Sequence, residues 1–293
     1  MVTVMDSKPY VLQGISLSDF SLRRTEIVEM VKEYGLVVLP SFLTDNKIFR
    51  NFEDDLKKSL LSMSDKYSLE IKSNELGEIL SEISIQKPEI ARIVADLGTQ
   101  PNKFFSFNTL KFSDCFQQFL TAYYGTKSLI LTPPSGDTLH FFPPGGNFHR
   151  YNLPVHQDYP YLMQSPEQLT FYMGISKFQS DVGGLRVWER SHKEGLIPTY
   201  KNPNGNFEIS VDDFDMSKYL QVDIQWNPGD LGIFDSLLCH ASIPNMSEKH
   251  SRIVQIFRFS NIDNDLSRSY DYYSSSYTRR SVSFEDIHSD LLR

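Results

Sequence analysis

From residue 128 onward the chain is a series of short apolar runs, at 128–132, 138–142, 169–176, 184–188, 220–226, 231–235 and 252–259, separated by Gly, Pro, Asn and Asp. Runs of this length suit strands, and the breaks between them, including Pro133-Pro-Ser-Gly136 and Pro143-Pro-Gly-Gly146, are turn formers. Many short strands joined by turns specify a sandwich or barrel rather than a parallel α/β sheet. An aromatic content of 13%, with 21 Phe and 15 Tyr, suits a β-rich core.

The first half reads differently. Ile27, Val31 and Tyr34 recur at helical spacing, and Tyr34-Gly-Leu-Val-Val-Leu-Pro40 is a strand stopped by proline. Thr44 and Asp45 offer a helix start, after which Ile48, Phe52, Leu56 and Leu60 repeat every four residues. Further helices are expected over 75–85, after Pro88, and along Phe112, Phe116, Phe119 and Tyr123. Residues 200–218, with Asp212, Asp213 and Asp215, read as a long polar loop, and the Tyr/Ser/Arg-rich tail as ending in a short helix over 284–292. At 293 residues the length would allow two domains, but no linker or repeat divides the chain. One domain is expected: helical support over about 1–127, a β core over about 128–265 and a tail over 266–293.

A net charge of −8 argues against nucleic-acid binding, which needs a basic field. No apolar run reaches the eighteen or so residues of a membrane helix. Two cysteines and a start without a basic, then apolar, leader point to a reducing, cytoplasmic setting. The expected partner is a small-molecule substrate; nothing in the pattern specifies an oligomeric state.

Val155-His156-Gln157-Asp158-Tyr159 carries the first chemical signal. Side chains alternate along a strand, so His156 and Asp158 share one side while Gln157 faces away. A third ligand must come from elsewhere. His240, after the turn Asn227-Pro-Gly-Asp230 and the run 231–235, is the candidate. Two imidazoles and one carboxylate make the facial triad of non-heme Fe(II) oxygenases, which leaves positions open for a 2-oxo acid and O2. Such an acid needs a cation for its far carboxylate. Arg252 offers a guanidinium fork at the head of the run 252–259, Ser242 shares the side of His240, and Arg258 shares the strand face of Arg252 and is its rival. Each residue alone has a plainer explanation: a chance His-x-Asp, a core histidine, an ion-paired arginine. Their order along a β-rich stretch points to a metal. His140, His149, His192, His250 and His288 are set aside as ligands; His149 lies at odd spacing from His156, a phase that Pro154 can break.

Longer blocks surround these residues. They are Tyr34-Gly-Leu-Val-Val-Leu-Pro-Ser-Phe-Leu43, His156-Gln-Asp158, Gly183-Gly-Leu-Arg-Val-Trp-Glu-Arg-Ser-His-Lys193, and Asn227-Pro-Gly-Asp230 through His240-Ala-Ser-Ile-Pro-Asn245 to Arg252. Over most of its length the chain resembles the phytanoyl-CoA dioxygenase-like family of Fe(II)/2-oxoglutarate oxygenases. The resemblance implies a double-stranded β-helix (jelly-roll, cupin-like) core with iron at its open end. It implies decarboxylation of 2-oxoglutarate to succinate and CO2, consumption of O2, and hydrogen abstraction from an unactivated C–H. It implies His156, Asp158 and His240 as iron ligands, Arg252 and Ser242 on the far carboxylate of 2-oxoglutarate, and Tyr172 as a further co-substrate contact. Glu189-Arg190 depart from the family's Pro-Gly, which puts the local loop shape in question. Asp158 stands where halogenating relatives carry a small residue, which favours hydroxylation.

Tyr159, Tyr161 and Gln164 after the metal motif, and Asn152, Arg150 and His149 before it, are expected to border a pocket for a polar substrate. The segment 145–158 resembles bacterial members associated with sugar or polysaccharide modification. Two other readings compete: a cupin-like, metal-dependent isomerase, epimerase or hydrolase without 2-oxoglutarate, and a non-catalytic β-barrel binding protein. Arg252 discriminates against the first, which has no need of a buried cation opposite the metal. The intact set of four site residues discriminates against the second.

Overall fold

A computed structural model describes residues 8–90, 103–125, 130–132, 136–145, 152–163, 165–210 and 214–261, with 263, 265, 284 and 288–292 of the tail. Helix α1 (Leu17–Leu22) starts at a reciprocal capping box between Ser16 and Asp19. Helix α2 (Arg24–Tyr34) buries Ile27, Val28 and Val31 and ends at Gly35, whose φ of 83° is the left-handed cap that favours glycine. Strand β1 (Leu36–Leu39) follows, fully buried. The cap of α3 (Lys47–Lys66) is Asn46, whose side chain accepts from the Ile48 and Phe49 amides, so the helix begins just beyond Thr44 and Asp45. Helix α4 (Leu76–Gln86) matches its expected span. Most of the helix expected after Pro88 lies outside the described residues. The helix expected along Phe112, Phe116, Phe119 and Tyr123 is α6 (Asp114–Tyr124), and a short helix the spacing did not show, α5 (Phe105–Lys111), precedes it; Phe112 ends α5 and Ser113 turns extended before α6.

The apolar runs form antiparallel sheets. Strands β2 (Ile130–Leu131), β3 (Thr138–Phe142), β4 (Leu169–Gly174), β9 (Leu231–Asp235) and β11 (Arg252–Asn261) join β1 in the order β1-β9-β4-β11-β2, with β3 also on β11. A second sheet orders β10 (His240–Ile243), β5 (Gly184–Trp188) and β8 (Gln221–Ile224) as β10-β5-β8. The stretch read as an open loop instead carries a hairpin, β6 (Thr199–Lys201) with β7 (Phe207–Ile209). In the tail, residues 289–291 form a turn and Leu292 bridges Thr199. The architecture is mixed α and β with antiparallel sheets.

Helices and both sheets share one core. Leu185 and Val187 of β5, with Val222 and Ile224 of β8, belong to the same hydrophobic cluster as Phe171, Tyr172, Ile233 and Ile256 of the large sheet and Phe116 and Phe119 of α6. Phe171 is the seam: its ring stacks on Phe257 at 5.0 Å and meets Phe116 edge-on at 5.3 Å. Phe171→Ala is expected to cost about 3–5 kcal/mol, the range for deleting a buried aromatic ring. Urea unfolding checks this, and a loss under about 1 kcal/mol would show that the helical layer does not depend on the seam.

Candidate metal centre and co-substrate pocket

The site is built where the two sheets meet. The His156 amide donates to the His240 carbonyl (2.9 Å) and the His240 amide donates back (3.0 Å), an isolated bridge between a loop and β10. The bridge brings the two imidazole rings to 4.1 Å between centroids. The strand expected through 155–159 does not continue. Asp158 turns into the helical region (φ −73°, ψ −29°) as the residue before helix α7 (Tyr159–Leu162), and its amide donates to Ser236 O at 2.8 Å. Turning, not strand alternation, brings its carboxylate back. Asp158 Oδ1 lies 3.7 Å from His156 Nε2 and 3.7 Å from His240 Nε2.

Both imidazoles are aimed. His156 Nδ1 is 2.7 Å from Pro154 O and His240 Nδ1 is 2.9 Å from Leu238 O. A carbonyl only accepts, so each Nδ1 carries a proton, which leaves Nε2 as the ring nitrogen turned to the cluster. His156 Nε2 is buried with no hydrogen-bond partner. Burial, then the neighbouring His156 ring, pushes His240 down to about 4, so it is neutral at neutral pH. Burial alone would raise the Asp158 carboxyl, but the Arg258 guanidinium and the two imidazoles outweigh it and hold Asp158 well below the usual carboxylate range. The ligand atoms lie within 4.8 Å of one another. Two converging imidazole nitrogens and an ionised carboxylate fit a divalent cation. Of the other described histidines, His192, His250 and His288 sit against Lys32, Glu78 and Tyr159, outside this cluster.

Arg252 crosses from β11 to the small sheet. Its Nη1 donates to Val182 O (3.0 Å), Gly184 O (3.2 Å) and Ile243 O (3.0 Å), and its guanidinium carbon lies 3.8 Å from the Phe142 ring centre. Nε and Nη2 are buried and have no partner. Burial lowers the arginine's pKa, and the nearby Tyr172 hydroxyl opposes that fall. A buried guanidinium edge with two unmet donors has the chemistry to receive a carboxylate. Tyr172 packs on Trp226 at 4.9 Å, and Ser242 stands two residues beyond His240 on β10. Gly183 makes the cradle possible. Its φ of 74° is left-handed, and a Cβ there would lie 2.2 Å from Ile243 O and 2.8 Å from Arg252 Nη1. Gly183→Ala is therefore expected to destabilise by about 1–3 kcal/mol; a wild-type value in urea unfolding would refute it.

Arg258, the rival, is already engaged. Its Nε and Nη2 donate to Asp158 Oδ2 (3.2 and 3.1 Å), Nε also reaches Thr170 Oγ1 (3.1 Å), and Nη1 donates to Gly136 O (2.8 Å). The Thr170 hydroxyl donates to the same Oδ2 at 2.6 Å. Thr170 escaped notice in the sequence because only the cross-strand register Arg258↔Thr170 places it there. His140 packs on Phe142 of β3 near both arginines; burial, then Arg258 and Arg252, pushes it down to about 3.

The residues expected to border the substrate divide. The Tyr161 ring meets His156 edge-on at 5.4 Å, and its hydroxyl donates to Phe207 O at 3.0 Å. The Tyr159 hydroxyl lies 3.4 Å from His288 Nε2, and both rings pack with Phe207 and Phe284. They form a wall between the metal cluster and the β6–β7 hairpin. Asn152 is half-buried ahead of the bridge. His149, Arg150 and Gln164 lie outside the described residues. In the departing Glu189-Arg190 loop, Arg190 adopts the left-handed turn a glycine would favour (φ 68°), held over Tyr34 at 4.9 Å and paired with Glu33 at 2.8 Å. Next to it Ser191 Oγ accepts from the Cys239 amide at 2.8 Å, fixing the residue before His240.

Such a geometry defines a class of non-heme metal enzyme, in which one face of the ion is held by His, Asp and His and the other is left to small ligands. The family model described as phytanoyl-CoA dioxygenase (PhyH) matches residues 31–254, and the chain belongs to that family. It is an Fe(II)/2-oxoglutarate oxygenase-type enzyme that uses iron, 2-oxoglutarate and O2. Its fold is similar to that of SnoK, a non-heme alpha ketoglutarate dependent carbocyclase from nogalamycin biosynthesis (TM-score 0.51, 14% identity, 81% of this chain and 84% of that one). It is also similar to the epimerase SnoN in complex with Fe3+, alpha ketoglutarate and nogalamycin RO (TM-score 0.52, 10% identity, 82% and 84% covered). Among the described residues no helix is long and apolar enough to cross a membrane.

Proposed function

We propose that this enzyme hydroxylates an unactivated C–H of a small polar or sugar-like metabolite, coupled to decarboxylation of 2-oxoglutarate to succinate and CO2. The observation that carries the reading is Arg252, buried with two unmet donors beside the small sheet. In this reading His156, Asp158 and His240 hold Fe(II). Arg252 receives the far carboxylate of 2-oxoglutarate, with Ser242 and Tyr172 beside it. Iron held by these three residues would supply the activation of O2 when 2-oxoglutarate is bound. Asn152, Tyr159 and Tyr161 border the substrate, the two rings by contact; Arg150 and Gln164, outside the described residues, are the remaining candidates for holding it. The tyrosine wall keeps bulk water from the His156 side of the ion. The two sheets form the faces of a double-stranded β-helix, and the chain acts as one catalytic domain, a reading supported by the large hydrophobic cluster that joins helices and both sheets. The free thiols of Cys115 and Cys239 fit a reducing, cytoplasmic setting.

The test is anaerobic addition of Fe(II) and then 2-oxoglutarate to apoprotein. A weak visible charge-transfer band is expected on the second addition. Iron binding without a band would remove 2-oxoglutarate from the reading and leave a metal-dependent isomerase or hydrolase in its place.

A further inference from the structure

The two oxygens of Asp158 have different surroundings. Oδ1 is equidistant, at 3.7 Å, from the two Nε2 atoms that face the cluster. Oδ2 accepts from Thr170 at 2.6 Å and from two Arg258 nitrogens at 3.1 and 3.2 Å. We propose that Arg258, backed by the buried Lys111–Asp137 pair, is a positioning residue that restricts Asp158 to one metal-facing oxygen. The proposal rests on the reading of His156, Asp158 and His240 as the metal site.

The consequence is a matter of counting. An octahedral ion with three protein donors keeps three positions, enough for a two-donor oxo acid and O2. A carboxylate that chelated through both oxygens would take one of them. To do so Asp158 would have to surrender charge-assisted hydrogen bonds on Oδ2, the stronger kind in a buried setting.

Arg258 is itself braced from the helical layer. Its Nη1 donates to Gly136 O and its backbone amide to Asp137 Oδ1 at 3.3 Å. The other oxygen of Asp137 accepts from the ammonium of Lys111, the last residue of α5. Lys111 is 2% exposed, and its ammonium lies over the Phe112 and Phe259 rings at 5.5 and 5.4 Å. Charge alternates along the row, positive Lys111, negative Asp137, positive Arg258, negative Asp158, so no net charge is buried. Buried ion pairs of this kind are seldom a net source of stability compared with apolar packing. Holding one carboxylate oxygen still is the service their geometry performs.

The experiment compares full-length wild type with Arg258→Met, Arg258→Lys and Lys111→Met. Each is titrated anaerobically with Fe(II), and separately loaded with Co(II), whose visible absorption intensity reports coordination number. Arg258→Met is expected to change the Co(II) spectrum and to weaken metal or 2-oxoglutarate binding by about 10–100-fold, the range for lost support of a metal ligand. Arg258→Lys should recover part of that loss, and Lys111→Met should shift the spectrum in the same sense by less. A wild-type Co(II) spectrum and wild-type Kd values in Arg258→Met overturn the positioning role while the metal site stands. Wild-type protein that binds no Fe(II) overturns both. Should Arg258→Met fail to fold, unchanged spectra in both Arg258→Lys and Lys111→Met overturn the proposal instead.

Discussion

In His240→Ala, Fe(II) affinity is expected to fall by on the order of 10³-fold, about 4 kcal/mol, and 2-oxoglutarate turnover to disappear, while the protein stays folded. The loss is large because one of three donors is removed and the cluster offers no substitute among the described residues. The fold survives because His240 joins His156 through backbone atoms, which alanine retains. What disappears is an imidazole whose Nδ1 bonds only to the Leu238 carbonyl in the adjoining turn. Isothermal titration with Fe(II) under argon, beside circular dichroism and a melting curve, separates the two effects. Normal iron binding by a folded His240→Ala protein would remove His240 from the metal site.

Arg252→Met is expected to weaken 2-oxoglutarate binding by about 2–5 kcal/mol, more than tenfold in Kd, with Fe(II) affinity little changed. The magnitude follows from burial. With the cation gone, a dianionic co-substrate would have to leave its far carboxylate unpaired in buried surroundings. The methionine keeps much of the apolar contact with Phe142 but none of the three bonds from Nη1 to Val182, Gly184 and Ile243. Some stability is therefore lost as well, and Arg252→Lys is the control. A single ammonium restores the charge but not the fork, so it should regain only part of the affinity. An unchanged 2-oxoglutarate requirement in Arg252→Met would send the far carboxylate elsewhere. Arg258 is poorly placed to receive it, since Asp158, Thr170 and Gly136 already occupy its nitrogens.

The site was legible in the chain to different depths. His156, Asp158 and His240 announce themselves by residue type and order, and they do converge. The reason given for Asp158, alternation along a strand, was not the mechanism: a bridge at His156 and a turn into α7 do the same work. Arg252 and Arg258 share a strand face and could not be ranked from spacing. Short elements were also hard to read. Helices α1 and α5 have too few turns to show a period, and the β6–β7 hairpin lies in a polar stretch whose pairing partner is known only once it folds.

Periodicity and local chemistry thus sufficed for the β-rich second half, the helical first half, the His-Asp-His set that converges in the structure and two candidate arginines on one strand. These are properties of residue type and of neighbours a few positions apart. Long-range contacts settled the rest: β1 at the edge beside β9, the His156–His240 bridge, one arginine left open between two sheets and the other locked on Asp158 through Thr170. Each depends on register and burial between segments distant in the chain, and only a packed structure specifies where a buried charge finds a partner and where it is left without one.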